Sequence, residues 1–374
     1  MSETTARQFT PDYATPPGET LAEWLEEQSM TQAELATRAE LSARAVNQII
    51  HGVAPLSQDT ALKLERVTGI PARIWNALEA YYREHLTRIE AQAKMAAQVE
   101  WLAELPVSQL RKLNIVTAPP KDKLGQVAEL LRFFGVASAE AWRELWLAPE
   151  AAFRKSEAFA ASPGAVAAWL RLGEIRAYSI DTEPFDAAAL RRTLPALREL
   201  TRQGNPAVFV AQMTEKCAAV GVAVVFVPEI KGARCSGATR WTGGRPIVQL
   251  SLRHRSDDHL WFTFFHELGH ILLHGRRDVF VEDGAPLTPE FAAKEDEANR
   301  FAREILIPPK FDAELPRLKS IVAMRAFADR IGIAPGIVVG RLQKDRIIGY
   351  RIGNKLKNFY EFTGATTEAE NESE

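Results

Sequence analysis

At 374 residues the chain is long enough for two or three domains, and 46% hydrophobic with 25% charged residues is ordinary for a folded globular protein. A net charge of −2 argues against a nucleic-acid binder or a membrane-surface protein on bulk electrostatics alone. Two cysteines, Cys217 and Cys235, are too few for a disulfide framework or a four-cysteine zinc module, and they fit a reducing cytoplasm. The stretch Met1–Pro17 is polar and unlike a signal peptide, and no apolar run of about 18 residues is present to span a membrane.

Residues 1–17 read as a disordered lead, and residues 18–90 as a five-helix domain. Thr31-Gln32-Ala33-Glu34 fits a capping box, with Thr31 capping a helix and Glu34 reaching back. Ser42 caps the next helix, which stops at Gly52, and Ser57 caps another, which stops at Gly69. Pro71 then sits in the first turn of a long helix through Tyr81. Residues 91–204 read as a helical linker or middle region. From 106 to 203 it is rich in Ala, Leu, Arg and Trp, and Pro106, Pro119-Pro120, Pro149, Pro163 and Pro184 cut it into short helices. Trp142, Trp146 and Trp169 are expected in its core, and it carries no evident chemistry.

The character changes after Gly204. Val222–Val227 reads as a buried strand, and Gly237–Trp241 and Pro246–Leu252 as a hairpin joined through Thr242-Gly243-Gly244. A strongly apolar helix is expected from about His259 to His274, and another from about Pro289 to Ile307, ended by Pro308-Pro309. Residues 205–315 form the candidate catalytic domain. Residues 316–360 are its basic helical end, with two helices over 320–345 turning at Gly332–Pro335. Residues 361–374 carry five acids and no base and read as an acidic disordered tail. The fold class is therefore multidomain and mainly α, with a small α+β zincin-like domain behind an N-terminal five-helix domain.

The chemistry lies in Trp261-Phe262-Thr263-Phe264-Phe265-His266-Glu267-Leu268-Gly269-His270, an H-E-x-x-H on a helix. Histidines at i and i+4 share one face, so both imidazoles can reach one Zn2+ ion, while Glu267 projects beside it as a general base. The competing explanation is a helix with two hydrogen-bonded histidines. The aromatic flanks that would bury the helix, and the edge-like hairpin before it, favour the metal. A catalytic zinc needs a third protein ligand. Glu295, Asp296 and Glu297 on the next helix offer one. Glu295 is preferred because Asn299, one turn later on its face, would orient a ligating histidine. Glu297, on nearly the opposite face, is the competitor. His274 reads as a helix-end residue near the last carbonyls rather than a ligand.

This region resembles the ImmA/IrrE family of metallopeptidases. The resemblance is carried by His266–His270 with Leu272-Leu273-His274 behind it. It is carried also by Glu295-Asp296-Glu297-Ala298-Asn299-Arg300-Phe301-Ala302 and the ending Ile305-Leu306-Ile307-Pro308. It covers roughly residues 205–350. It implies a thermolysin-like zinc endopeptidase that cuts a regulatory protein, often a transcriptional repressor, with Glu295 matching the third ligand by its distance from Asn299 and Pro308. No transition-state donor stands out: His254, His259 and Arg240 are candidates, with solvated loop residues as the plainer explanation. Strand Gly237–Trp241 is expected as the exposed edge to which a substrate backbone adds. Cys235 beside it is expected to be a small buried residue rather than a switch on the metal.

Residues 16–86 resemble a helix-turn-helix of the XRE class, and more narrowly the HigA-type antitoxins. The carriers are Pro17-Gly18-Glu19, Met30–Ala36, Ser42–Gly52, Leu56-Ser57, Ala61–Glu65 and Trp75 before Tyr81-Tyr82. The resemblance implies a recognition helix over Ser42–His51, with Arg44, Asn47 and Gln48 reading bases and Ser42, Ser57 and Gln32 holding phosphates. Residues 18–90 hold seven Lys/Arg against eleven Asp/Glu, so 7 − 11 = −4, which weakens phosphate attraction. A helical interaction module is the alternative. Residues 320–357 hold eight Lys/Arg against two Asp/Glu, so 8 − 2 = +6. A solvated face is the ordinary explanation, and backbone contacts to DNA from Arg341, Lys344 and Arg346 are the alternative. The expected partners are a DNA operator, a repressor- or antitoxin-type protein substrate, a toxin and a second copy of the chain, with no membrane. Against the peptidase stands a repressor or antitoxin that keeps the zinc fold as a sensor or scaffold. Glu267 favours the enzyme, because a scaffold needs no base there.

Overall fold

A computed structural model describes residues 15–147, 162–274, 280–281 and 289–362, so most of the lead and of the acidic tail lie outside the described residues. It divides into one unit up to Val99 and a second from Glu100 onward.

Among the described residues the first unit contains five helices: α1 (Pro17–Glu27), α2 (Gln32–Arg38), α3 (Ala43–Ile50), α4 (Gln58–Thr68) and α5 (Ala72–Ala96). The expected caps form. Thr31, Ser42 and Ser57 hydroxyls accept from the N–H groups of Glu34 (3.2 Å), Ala45 (3.0 Å) and Thr60 (3.1 Å). The capping box is not reciprocal, however: the Glu34 carboxylate accepts from Arg38 at 2.7 Å, an exposed pair one turn apart. Leu21, Leu35, Val46, Ile49, Leu64 and Trp75 close the core. A Cβ at Gly18 would stand 2.2 Å from the Ile49 carbonyl oxygen, so only glycine lets α1 cross α3 there.

The second unit begins with helices α6 (Val107–Lys112), α7 (Lys123–Phe134), α8 (Ala139–Trp142), α9 (Pro163–Tyr178), α10 (Ala187–Glu199) and α11 (Pro206–Ala218). Strands β1 (Ala223–Phe226), β2 (Gly237–Thr242) and β3 (Arg245–Leu250) follow. Then come α12 (Asp257–Leu273), β4 (Phe280–Val281), α13 (Pro289–Leu306), α14 (Ile321–Ile331) and α15 (Pro335–Lys344). The sheet order is β1-β3-β2-β4. β1 runs parallel to β3, with Val224 opposite Val248, and β2 is antiparallel to both β3 and β4. The β2–β3 turn holds Gly243 and Gly244 at positive φ, +59° and +83°, as a two-residue hairpin requires.

Side chains alternate across the sheet. Val224, Val248 and Leu250 pack with Trp261, Phe264, Phe265 and Leu268 of α12. On the other face the Trp169 indole donates to the Val227 carbonyl (3.3 Å), and the Gln249 amide donates to the Trp169 carbonyl (2.7 Å). Described helices within residues 91–204, the expected linker or middle region, pack on this sheet. α9 covers one face of the sheet, and Leu190, Leu194 and Leu197 of α10 join the α12 core. Trp142, Trp146 and Trp169 are buried, as expected of core residues.

α12 begins at Asp257, two residues before its expected start, with the acids Asp257 and Asp258 favourably placed in its first turn. That end is fastened by residues distant in sequence. Asp257 N–H donates to the Asn358 carbonyl (2.9 Å), Tyr360 N–H donates to the Arg255 carbonyl (2.7 Å), and Ser256 bridges to Phe359. Lys357 Nζ lies 2.6 Å from Asp258 Oδ2, and both side chains are nearly buried. α15 crosses here on glycines: a Cβ at Gly336 or Gly340 would stand 2.2 or 2.3 Å from an Asp257 or Asp258 carboxylate oxygen. The basic end is therefore less available than its composition suggests. Lys357 is committed to Asp258, and Arg341 is held by Asp345 (2.5 Å) and Asp312 (3.2 Å). Lys344, Arg346, Arg351 and Lys355 remain exposed.

Candidate metal centre

α12 is buried over most of its length, and its inner polar side chains His266, Glu267 and His270 face the metal group and β2. His266 and His270, one turn apart, bring their Nε2 atoms within 2.9 Å of each other. α13 lies close alongside, since a Cβ at Gly269 would meet Phe301 at 3.1 Å and the Ala298 Cα at 3.2 Å. That approach brings Glu295 to both imidazoles, with Oε2 3.1 Å from His266 Nε2 and Oε1 3.3 Å from His270 Nε2. Glu297 points elsewhere, 3.2 Å from His274 Nε2. A tetrahedral ion with ligand distances of about 2.0–2.1 Å holds its donors about 3.3 Å apart. The three observed separations fit that geometry, and these residues form a group that could hold a metal ion.

The protonation states fit as well. Burial opposes ionisation of Glu295, but hydrogen bonds and electrostatic attraction from His266 and His270 outweigh it and hold its pKa down at about 2. Burial pushes His270 down to about 4, so at neutral pH its ring is uncharged with a lone pair to offer. The outer ring nitrogens are occupied. His266 Nδ1 lies 3.1 Å from Asn299 Oδ1, which can only accept, so His266 carries its proton on Nδ1 and turns a lone pair inward. His270 Nδ1 lies 2.9 Å from His274 Nδ1, and His274 in turn reaches Glu297. The helix-end expectation for His274 holds only for its backbone; its side chain links His270 to Glu297. The spacing 266, 270, 274 marks one continuous face and was the available signal.

Glu267 is fully buried between α12 and β2. The Thr239 hydroxyl donates to its Oε2 at 2.6 Å, a partner the sequence does not point to. Gly237 covers the carboxylate, and a Cβ there would stand 2.5 Å from Glu267 Oε1. β2 is not the free edge it was expected to be: β4 pairs with Ala238 and Thr239. Arg240, on the opposite face from Thr239, lies over the Trp146 ring and 4.0 Å from Glu174, away from the metal group. His254 and His259 stack on each other with centroids 4.3 Å apart and also stand outside it. Cys235 is buried, with its Sγ 3.0 Å from the Ala233 carbonyl.

In the first unit, α2 and α3 meet through a turn holding Glu40 at φ +52°. Val46 and Ile49 of α3 face inward, Ser42, Arg44 and Asn47 are exposed, and Gln48 is half-buried. The Asn47 amide donates to Gln32 Oε1 at 3.5 Å, and the Ser42 hydroxyl is engaged as a cap. The arrangement presents Arg44 and Asn47 on one open face, the requirement for a helix entering a major groove.

No curated protein matches the chain. Residues 21–75 match the helix-turn-helix family model, and residues 217–343 match the IrrE N-terminal-like domain model of the M78 peptidases. Among the described residues no helix is long and apolar enough to cross a membrane. The chain thus joins an XRE-type helix-turn-helix domain, within its first unit, to an IrrE N-terminal-like domain built around the histidine pair of α12.

Proposed function

We propose that this protein is a zinc-dependent endopeptidase that cleaves a regulatory protein of the repressor or antitoxin class, and that operator binding by its first unit couples cleavage to transcription. The convergence of His266 Nε2, His270 Nε2 and the Glu295 carboxylate carries the reading. Those three residues would hold the ion, and Asn299 and His274 fix the ring orientations. Bound zinc would supply Lewis acidity to the scissile carbonyl and to the attacking water. Glu267 takes the proton from that water and returns it to the leaving amine, while Thr239 holds the carboxylate in place. A substrate strand reaches β2 by replacing β4 in the same antiparallel register. In the first unit Arg44, Asn47 and Gln48 read base edges and Ser42 lies at the backbone. A twofold-symmetric dimer would place two such helices on one operator.

The test is expression of the wild type and Glu267→Gln beside their genomic neighbours, with mass spectrometry of the neighbours. A neighbour cut only by the wild type supports the reading. Cleavage unchanged in the variant sinks it. One observation favours a second reading, a non-enzymatic sensor that retains the metal fold: β4 already occupies the β2 edge beside a fully buried Glu267. That reading predicts that Glu267→Gln leaves every cellular phenotype intact while removal of the zinc ligands does not.

A further inference from the structure

A small pocket at the N-terminal end of α12 is lined by Ser236, Ser251, His254, Ser256, His259 and Thr263, together with Arg253 and Arg255. It adjoins the candidate metal centre. Ser236 precedes β2, and Thr263 stands one turn before Glu267 on the same helical face. A Cβ at Gly237 would touch Thr263 and Glu267 alike, at 2.5 Å each. β4 shows the course of a chain paired with β2: Phe280 lies opposite Thr239 and Val281 opposite Ala238. A substrate strand in that direction therefore runs toward Gly237 and Ser236, and its C-terminal side enters the pocket. From Glu267 to His259 is eight residues, about 12 Å of helix. An extended chain covers that distance in three to four residues at about 3.3 Å each.

The lining is rich in hydrogen-bond donors, from imidazole, hydroxyl and guanidinium groups. His254 and His259 are stacked and exposed, and among the described residues neither ring has a hydrogen-bond partner. Ser256 is buried at the helix N-cap, yet its hydroxyl makes no capping bond. No carboxylate lines the pocket. The neighbouring acids are already paired: Asp257 with Asn358, Asp258 with Lys357, and Glu361 with the lining residue Arg255 at 2.9 Å. Glu229 lies 3.9 Å from Arg253 Nε. Burial holds the His259 pKa below its ordinary value, with Asp258 opposing and His254, Lys357 and Lys344 adding to the effect, so the ring serves as a neutral N–H donor.

We propose that this pocket is a carboxylate-binding subsite that selects an acidic side chain or a free C-terminus three to four residues beyond the scissile bond. The assignment of substrate side rests on the peptidase reading; the carboxylate site itself does not. In imidazole ¹H–¹⁵N spectra of the full-length Glu267→Gln protein, three probes are titrated: N-acetylglutamate α-amide, N-acetylglycine and N-acetylglutamine α-amide. The His254 and His259 resonances should move saturably with one or both carboxylates and not with the neutral amide. The more effective of the two identifies the source, side chain or chain end. Equal movement with glutamine, or none with either carboxylate, overturns the site. A randomised peptide pool, digested by zinc-loaded wild type, should show acidic residues or chain ends enriched about tenfold at the third or fourth position after the cut, the scale of one charge-assisted hydrogen bond. His254→Gln with His259→Gln should flatten that enrichment while cleavage continues. Cleavage without acidic preference overturns the subsite and leaves the peptidase standing. Probe binding without any cleavage retains the carboxylate site and overturns the peptidase.

Discussion

Single side chains divide the work in the metal group, and their separation is measurable. Glu295→Ala should lower zinc affinity by orders of magnitude, because among the described residues three protein donors converge there. Asn299→Ala and His274→Ala should each cost about 10- to 100-fold, since each only orients a ring. Competition with a chelating dye checks all three; a larger loss from Glu297→Ala than from Glu295→Ala would reverse the ligand assignment. Gly237→Ala should leave zinc content unchanged but displace the Glu267 carboxylate, lowering cleavage by at least an order of magnitude, as loss of a general base does. Much of this was legible in the sequence. Glu295 and Asn299 share one helical face, and that spacing alone separates Glu295 from Glu297. Thr239 was not legible, because which strand residue meets a buried carboxylate depends on register across a sheet.

α12 is the element on which the second unit turns, and its two ends carry opposite electrostatic problems. At the C-terminal end His270 is kept neutral by burial. At the N-terminal end burial raises the Asp257 pKa from 3.8 to about 6. A folded-state pKa above the unfolded one means that the native state binds more protons between these values, so Asp257 loses stability for the fold as pH rises from about 4 to 6. Asp257→Asn should therefore gain stability relative to the wild type as pH rises from 4 to 7, by up to about 3 kcal/mol. Urea unfolding of the metal-free protein at both values would show it; a constant difference would refute the burial argument. Gly336→Ala has no such compensation. Its Cβ would meet the Asp257 carboxylate at 2.2 Å, and a loss of about 1–3 kcal/mol is expected in the same unfolding experiment. Helix caps and the glycine hairpin announced themselves locally in the sequence. β4 did not, since two residues are too few to show a period, and neither did the residues 357–360 that fasten α12, because their partners lie a hundred positions away.

At the scale of the molecule, charge is distributed against simple expectation. The helix-turn-helix segment is net acidic, and part of the basic run is consumed by Asp258, Asp312 and Asp345. If Arg44 reads a base, Arg44→Ala should cost about 1–3 kcal/mol on the operator and relax sequence preference. Fluorescence anisotropy with specific and scrambled duplexes tests this, and equal losses on both would reduce Arg44 to a phosphate contact. Replacing Lys344 and Arg346 with Ala should flatten the salt dependence only if that face touches DNA. Where the helices of residues 91–204 pack was not legible for a related reason. An amphipathic helix in sequence does not say which sheet it covers, and α9 is half of the sheet's enclosure.

The fastening of α12 also bears on synthesis. Translation delivers His266, Glu267, His270 and Glu295 well before Lys357, Asn358 and Tyr360. Until those last residues leave the ribosome, Asp258 has no Lys357 partner and the backbone of Arg255–Asp257 has nothing to pair with. A nascent chain halted at residue 350 would hold every metal-binding side chain and yet lack the strap that seats their helix. Protease protection of α12 should therefore appear as a step once residues 357–360 have cleared the ribosome rather than rise gradually, and the proposed activity would be withheld from incomplete copies by the order in which the chain is made.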